Sequence, residues 1–157
     1  MEKLDVLNQV AEFHRTFKHP VEPRPLIPSD ERCRLRVALL AEELKELQKA
    51  IEDRDIVEVA DALCDLQYVL SGAVLEFGLG EKFKALFDEV QRSNMSKACQ
   101  SREEAEATMQ YYREERGIDS YIHEADGHWL VYRKSDNKTL KSVNYSPANL
   151  EGVLGGG

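Results

Sequence analysis

Apolar residues recur at helical spacing through most of the N-terminal half of the chain. Leu4, Leu7, Val10, Ala11, His14 and Phe17 share one face, predicting an amphipathic helix over residues 2–18 that ends at His19–Pro20. His14 on that stripe reads as a core residue. Prolines 20, 23, 25 and 28 then impose a stiff, extended connector. Ser29 is an N-cap, with Asp30 and Glu31 favouring the dipole of a helix predicted to run to residue 52. After the turn EDRD, a second long helix is predicted over 55–77, closed by Gly78 and Gly80, and a third over 81–92. Four helices with short connections predict antiparallel neighbours around a helical core.

Beyond the polar stretch RSNMSK (92–97), Ser101 and Glu104 form a capping box that opens the helix REEAEATMQYYREERG. Few large apolar residues mark that helix as mostly exposed, and Gly117 closes it. YIHEA and HWLVYR alternate like strands around Asp126–Gly127, a strong hairpin signal, and SDNK leads on to TLKSV. A ribbon of two or three strands is therefore expected, on which His123 and His128 flank the turn and could face one another. Trp129 reads as packing the ribbon. The chain divides into an all-α core, 1–99, and an appendage, 100–154, packed on the same domain; Gly155–Gly157 reads as a frayed end.

The two long helices carry acids where the periodicity calls for apolar residues. A helix turns about 100° per residue. Leu39, Leu40, Leu44, Leu47, Ala50 and Ile51 define the inner face of the first, and Glu43 and Glu46 fall inside it or at its rim, with Glu42 at the margin. From Asp55 to Glu81 there is no Lys or Arg, and Ile56, Val59, Ala62, Leu63, Leu66, Val69 and Leu70 cover most of the second helix. Glu58, Asp61 and Asp65 share an arc of roughly 60° on it. Converging carboxylates repel by about 4 kcal/mol per pair at 4 Å and an effective dielectric of 20, so they need protons or cations. All-oxygen donors point to Mg²⁺, with Mn²⁺ as a substitute. The near-complete apolarity of the second helix also exceeds what small neighbours would cover, which predicts a homodimer.

Charge and cysteine usage narrow the classes. A formal net charge of −8 argues against a duplex nucleic-acid binder or an anionic membrane surface. Cys33, Cys64 and Cys99 are odd in number and far apart, reading as free thiols of a reducing compartment. With no membrane-length apolar run and no signal-peptide pattern, a cytoplasmic location is expected.

The pattern E-E-x-x-E (Glu42, Glu43, Glu46) followed by E-x-x-D (Glu58, Asp61) resembles the signature of the MazG-like all-α nucleoside triphosphate pyrophosphohydrolases. Eleven residues separate Glu46 from Glu58, the short end of the usual gap, and either Asp61 or Asp65 could be the family's metal-binding Asp. The segment E-V-x-R-S-N-M-S-K and the tail K-x-L-K…Y-x-P-x-x-L are similar to the phosphoribosyl-ATP pyrophosphohydrolase-like branch. The resemblance implies a four-helix MazG-like bundle, dimeric or a dimer of dimers, carrying a small C-terminal hairpin. It implies Mg²⁺ on Glu43, Glu46, Glu58 and Asp61, with Glu42 and Asp65 as catalytic acids: Glu42 to orient or deprotonate water, Asp65 as an alternative or supporting ligand. Arg92, Asn94, Lys97, Lys141 and Tyr145 would contact the substrate. The implied reaction is cleavage of an NTP or dNTP between the α- and β-phosphates to a monophosphate and pyrophosphate. The alternatives are phosphoribosyl-ATP hydrolysis in histidine biosynthesis and a non-catalytic, metal-binding dimerisation module.

Overall fold

The first apolar stripe forms α1 (Val6–Thr16), shorter than predicted, with Val10, Ala11 and His14 buried. The computed structural model describes residues 2–155; Gly156 and Gly157 of the expected frayed end lie outside them, and Gly155 closes a short last helix. The described chain falls into two units, one running to Lys84 and one beginning at Ala85.

In the first unit the proline-rich connector lies against the C-terminal end of α3 (Ile56–Glu76). The Glu22 N–H donates to the Leu75 carbonyl at 3.0 Å and the Leu26 N–H to that of Phe77 at 3.1 Å. Gly78, at φ +66°, ends α3 where a Cβ would lie 1.8 Å from the Arg24 carbonyl oxygen, so only glycine fits. Val10 and Ala11 of α1 meet Leu75 of α3 and Val21 of the connector in a buried cluster.

Helix α2 (Asp30–Asp53) starts on the predicted cap, the Ser29 side chain accepting from the Arg32 N–H. It ends in a two-residue turn. Arg54 is left-handed at φ +57°, its N–H donates to Ile51 and that of Asp55 to Ala50, both at 3.1 Å. The Asp55 carboxylate then caps α3 by accepting from the N–H groups of Val57 and Glu58. So short a reversal lays α3 antiparallel on α2, and the small residues Ala50 and Ala62 are buried near the turn. The expectation that α3 is packed on nearly all sides is not met: Ile56 is 77% exposed, Val57 70% and Leu63 51%. On α2, Leu44 and Ile51 are exposed as well, so its inner face is narrower than the periodicity implies.

After a 3₁₀ turn at Gly80–Lys82, α4 (Phe83–Met95) continues past the predicted end, making Arg92, Ser93 and Asn94 helical rather than part of a polar break. In the second unit, α5 (Arg102–Arg116) is capped by Ser101, which accepts from the Glu104 N–H, while the Glu104 carboxylate accepts from the Gln100 N–H. Strands β1 (Ser120–Ala125) and β2 (His128–Arg133) pair antiparallel around Asp126–Gly127, both at positive φ as a type I′ turn requires. Register pairs His128 with Ala125 and His123 with Leu130, so the two histidines do not face one another. On its other edge β2 exchanges hydrogen bonds with Cys99 and receives the Leu140 N–H at Val131. The core here is Cys99, Ala105, Val131 and Leu140, with Trp129 packed against it. Helix α5 thus has a buried face, made of small residues such as Ala105 and Thr108, where an exposed helix was expected. A sixth helix, α6, spans Leu150–Gly155. The fold is mainly helical with a small antiparallel sheet, and the expected four-helix bundle is represented in the first unit by the three helices α1 to α3.

Candidate active site

The tight α2–α3 turn places the two acidic triplets on facing helices. Partial burial pushes the Glu43 carboxyl above the ordinary carboxylate range, and the negative charges of Glu46, Asp65, Glu42 and Asp61 push it further. Two of those neighbours, Asp61 and Asp65, come from the other helix, so acids of both helices act on Glu43 across the α2–α3 seam. The charges of both Asp61 and Asp65 contribute to that shift. Glu46, Glu58 and Asp61 line a cleft of about 350 Å³ with Lys45, Lys49 and Asp53. Lys49 is paired with Asp53. Among the described residues, none of Glu42, Glu43, Glu46, Glu58, Asp61 and Asp65 has an ion-pair partner.

The cleft opens to solvent. Glu43 is half-buried while Glu42, Glu46, Glu58, Asp61 and Asp65 are exposed, where the periodicity placed Glu43 and Glu46 against the core. Among the described residues no three His, Cys, Asp or Glu side chains are gathered tightly enough to form a ready metal-binding group. The donor set nonetheless suits a hard divalent cation: carboxylate oxygens only, those of Glu46, Glu58 and Asp61 lining one cleft, with no positive partner of their own.

The predicted substrate contacts assemble within the second unit. Arg92 donates to both carboxylate oxygens of Glu89 at 2.8 Å and to the Pro147 carbonyl at 3.0 Å. Those bonds, with the Asn149 N–H, hold the Glu89 carboxyl down at about 2. Lys97 Nζ donates to Asn94 Oδ1 at 2.8 Å, and Lys141 Nζ lies 4.3 Å from the centre of the Tyr145 ring. The Ser93 hydroxyl donates to the Tyr145 oxygen at 3.1 Å. That bond, then the charges of Lys141, Lys97 and Arg92, lowers the Tyr145 hydroxyl below its ordinary value. The helix end and the tail, distant in sequence, therefore form one cation-rich cluster.

The periodicity gave no sign of the ionic group at the base of α3. Glu76, 1% exposed, accepts from Arg32 and Arg36, the Arg32 Nη2 bond measuring 3.0 Å. Burial alone would raise its carboxyl, but the two guanidiniums outweigh it and hold it below the ordinary range. His14 is buried as expected, its Nδ1 2.8 Å from the Pro20 carbonyl oxygen; burial and the Arg36 charge lower its pKa despite that hydrogen bond.

No single helix among the described residues is long and apolar enough to cross a membrane. Aligned over 100 residues, the chain is 29% identical to the Uncharacterized protein L479 of Acanthamoeba polyphaga mimivirus, covering 61% of this chain and 40% of that relative. The chain thus spans less than half the length of that curated relative. A family model described as phosphoribosyl-ATP pyrophosphohydrolase matches residues 10–94, just over half of the chain and the whole of the α2–α3 acidic seam. The chain belongs to the phosphoribosyl-ATP pyrophosphohydrolase family, within the MazG-like all-α superfamily.

Proposed function

We propose that this protein is a Mg²⁺-dependent pyrophosphohydrolase that cleaves an NTP or dNTP between the α- and β-phosphates. The observation that carries the reading is the joint negative charge that Glu46, Asp65, Glu42 and Asp61, from both α2 and α3, exert on the half-buried Glu43, in a chain whose family is described as phosphoribosyl-ATP pyrophosphohydrolase. Glu43, Glu46, Glu58 and Asp61 would hold Mg²⁺, or Mn²⁺ in its place, which when bound neutralises phosphate oxygens and acidifies water. Glu42, exposed beside Glu43, takes the proton of the attacking water. The water oxygen bonds to the α-phosphorus, the bond from that phosphorus to the α–β bridging oxygen breaks, and pyrophosphate leaves with that oxygen. Asp65, close enough to raise Glu43, keeps negative charge on the same side and stands as an alternative ligand to Asp61. Arg92, Asn94, Lys97, Lys141 and Tyr145 are the proposed substrate contacts, supported by their assembly into one cluster. Exposed apolar residues of α2 and α3, among them Leu44, Ile51, Ile56 and Val57, support a homodimer.

The test is pyrophosphate release from a panel of NTPs, dNTPs and phosphoribosyl-ATP, with and without Mg²⁺, by the native chain and Glu46→Ala. Metal-dependent release that falls by about 10²-fold or more in the variant is expected. Release from phosphoribosyl-ATP alone would assign the histidine-pathway reaction that the family description names. No release from any substrate by folded protein would leave a metal-binding module. Millimolar Mg²⁺ should also raise the melting temperature of the native chain and have less effect on Glu46→Ala, since an ion bound only by the folded state stabilises it.

A further inference from the structure

The hairpin of the second unit leaves one of its edges unused. Along β2, Trp129 exchanges hydrogen bonds with Cys99, the Val131 carbonyl accepts from the Leu140 N–H, and the Arg133 N–H donates to the Lys138 carbonyl. These three residues therefore turn their backbone groups away from β1. Antiparallel pairing then makes their partners Glu124, Ile122 and Ser120 turn theirs away from β2. Among the described residues no hydrogen bond reaches those outward N–H and carbonyl groups. Ile122 is half-buried and Glu124 exposed, so the middle and the turn end of the edge are open. Strand β1 also lacks the lysine, proline or bulge that blunts an edge.

The helix above this edge is unpaired on the same side. Glu104 and Thr108 of α5 bond Ser142 and Val143, in the segment that runs on from the outer edge of β2. At 100° per residue, Glu106, Met109 and Arg113 lie within about 60° of one another on the other flank, toward β1. They line one cleft on that flank, and Met109 and Ile122 pack against the same core. Glu106 is bonded to the exposed Arg102 one turn away, and among the described residues Arg113 has no ion-pair partner. All these residues lie beyond the segment that the family model matches.

We infer that β1 pairs with β1 of a second copy, antiparallel about a twofold axis at Ile122, with the two α5 helices side by side over a four-stranded sheet. That register sets Ile122 against Ile122, Glu124 against Ser120, and Tyr121 against His123. The last is an aromatic cross-strand pair on the face where Tyr121 and His123 already meet Tyr132. A slip of one residue would oppose groups that do not bond, and a slip of two toward the turn would set Ile122 against Glu124. Because α5 packs on both strands of its own hairpin, two hairpins side by side place the helices about 10 Å apart, an ordinary packing distance. The axis runs them antiparallel and brings Arg113 to Glu106 of the second copy, on either side of Met109. An unrelated extended peptide would satisfy the edge but not these two charges. The surface shares no residue with the exposed apolar faces of α2 and α3. It is small, so the association is weak and fills at about 0.5 mM chain, above the concentrations of a melting or scattering measurement.

The test is a concentration series of the full chain by sedimentation and hydrogen exchange, with Ile56→Glu as background so that pairing through α2 and α3 does not contribute. A dimer should form by about 0.5 mM. Exchange at the Ile122 and Glu124 N–H groups should slow as it forms, while Tyr121 and His123, already bonded to β2, stay unchanged. Glu124→Pro removes an outward donor at an exposed position, outside the ladder to β2, and should abolish both effects. Arg113→Glu should weaken the dimer about tenfold, and adding Glu106→Arg should restore it. Unchanged melting temperatures in dilute solution would show the variants folded. Four outcomes overturn the inference: no dimer at that concentration, which leaves the edge to a different chain, a dimer whose edge amides stay unprotected, indifference to Glu124→Pro, or no recovery when the charges are exchanged.

Discussion

Glu76 shows how much one side chain can carry without being visible in the local pattern. It ends an apolar run on α3, and its partners Arg32 and Arg36 stand 44 and 40 residues upstream, where no periodicity of α3 refers to them. Replacing it by Gln leaves two guanidiniums partly buried without a counter-charge, so Glu76→Gln should cost about 3–5 kcal/mol in urea denaturation. The same pocket sets a pH dependence. His14 has a lowered folded pKa, so the unfolded chain binds the proton first as pH falls. Its contribution is complete above about 6.5, the ordinary imidazole value, and is lost as pH falls toward the folded value. Glu76, also lowered, withdraws its own contribution only below the ordinary glutamate value of 4.5. Melting temperature should therefore decline in two stages on acidification, and His14→Gln should remove the upper stage. The acids of the site were readable at this scale because they stood where apolar residues were expected. Their openness to water was not, because an angular plot fixes direction and not the depth of cover.

Among elements, the turn between α2 and α3 has the most direct bearing on the site, since it alone sets the register of the two acidic triplets. Arg54 occupies a left-handed position where glycine is favoured, so Arg54→Gly should stabilise the chain by about 1 kcal/mol. Asp55→Ala removes the cap of α3 and should cost about 1 kcal/mol; hydrogen exchange should quicken first at Val57 and Glu58, whose N–H groups it holds. The long helices followed from spacing, caps and glycines because those signals are local. The hairpin followed from Asp126–Gly127, but the offset of His123 from His128 is a matter of register, which a two-residue loop fixes and facing side chains do not reveal. Helix α5 was judged exposed for want of large apolar residues, yet Ala105 and Thr108 are buried because a strand approaches closely only where side chains are small. The continuation of α4 through Met95 was obscured by Ser93 and Asn94, which favour helix ends in isolation.

At the scale of the whole molecule, the exposed apolar residues of α2 and α3 are the main feature that the single chain does not account for. Val37, Leu44, Ile56 and Val57 are each more than half exposed. If a second copy covers them, as proposed, the melting temperature should rise with protein concentration, and Ile56→Glu should abolish that dependence and shift light scattering to the monomer mass. The order in which the chain acquires structure follows from the stitching of α4 to the tail. The Ser142 N–H bonds Lys97, Ser146 bonds Ser96, and Pro147 and Asn149 bond Arg92 and Glu89. These links close loops of about 45 to 60 residues, whereas α2 and α3 need only a two-residue turn. Loop closure of that length slows folding. During synthesis the acidic seam can form early, but residues 92–97 gain their geometry only once residues 142–149 have left the ribosome, so a nascent chain gains its cation-rich cluster late.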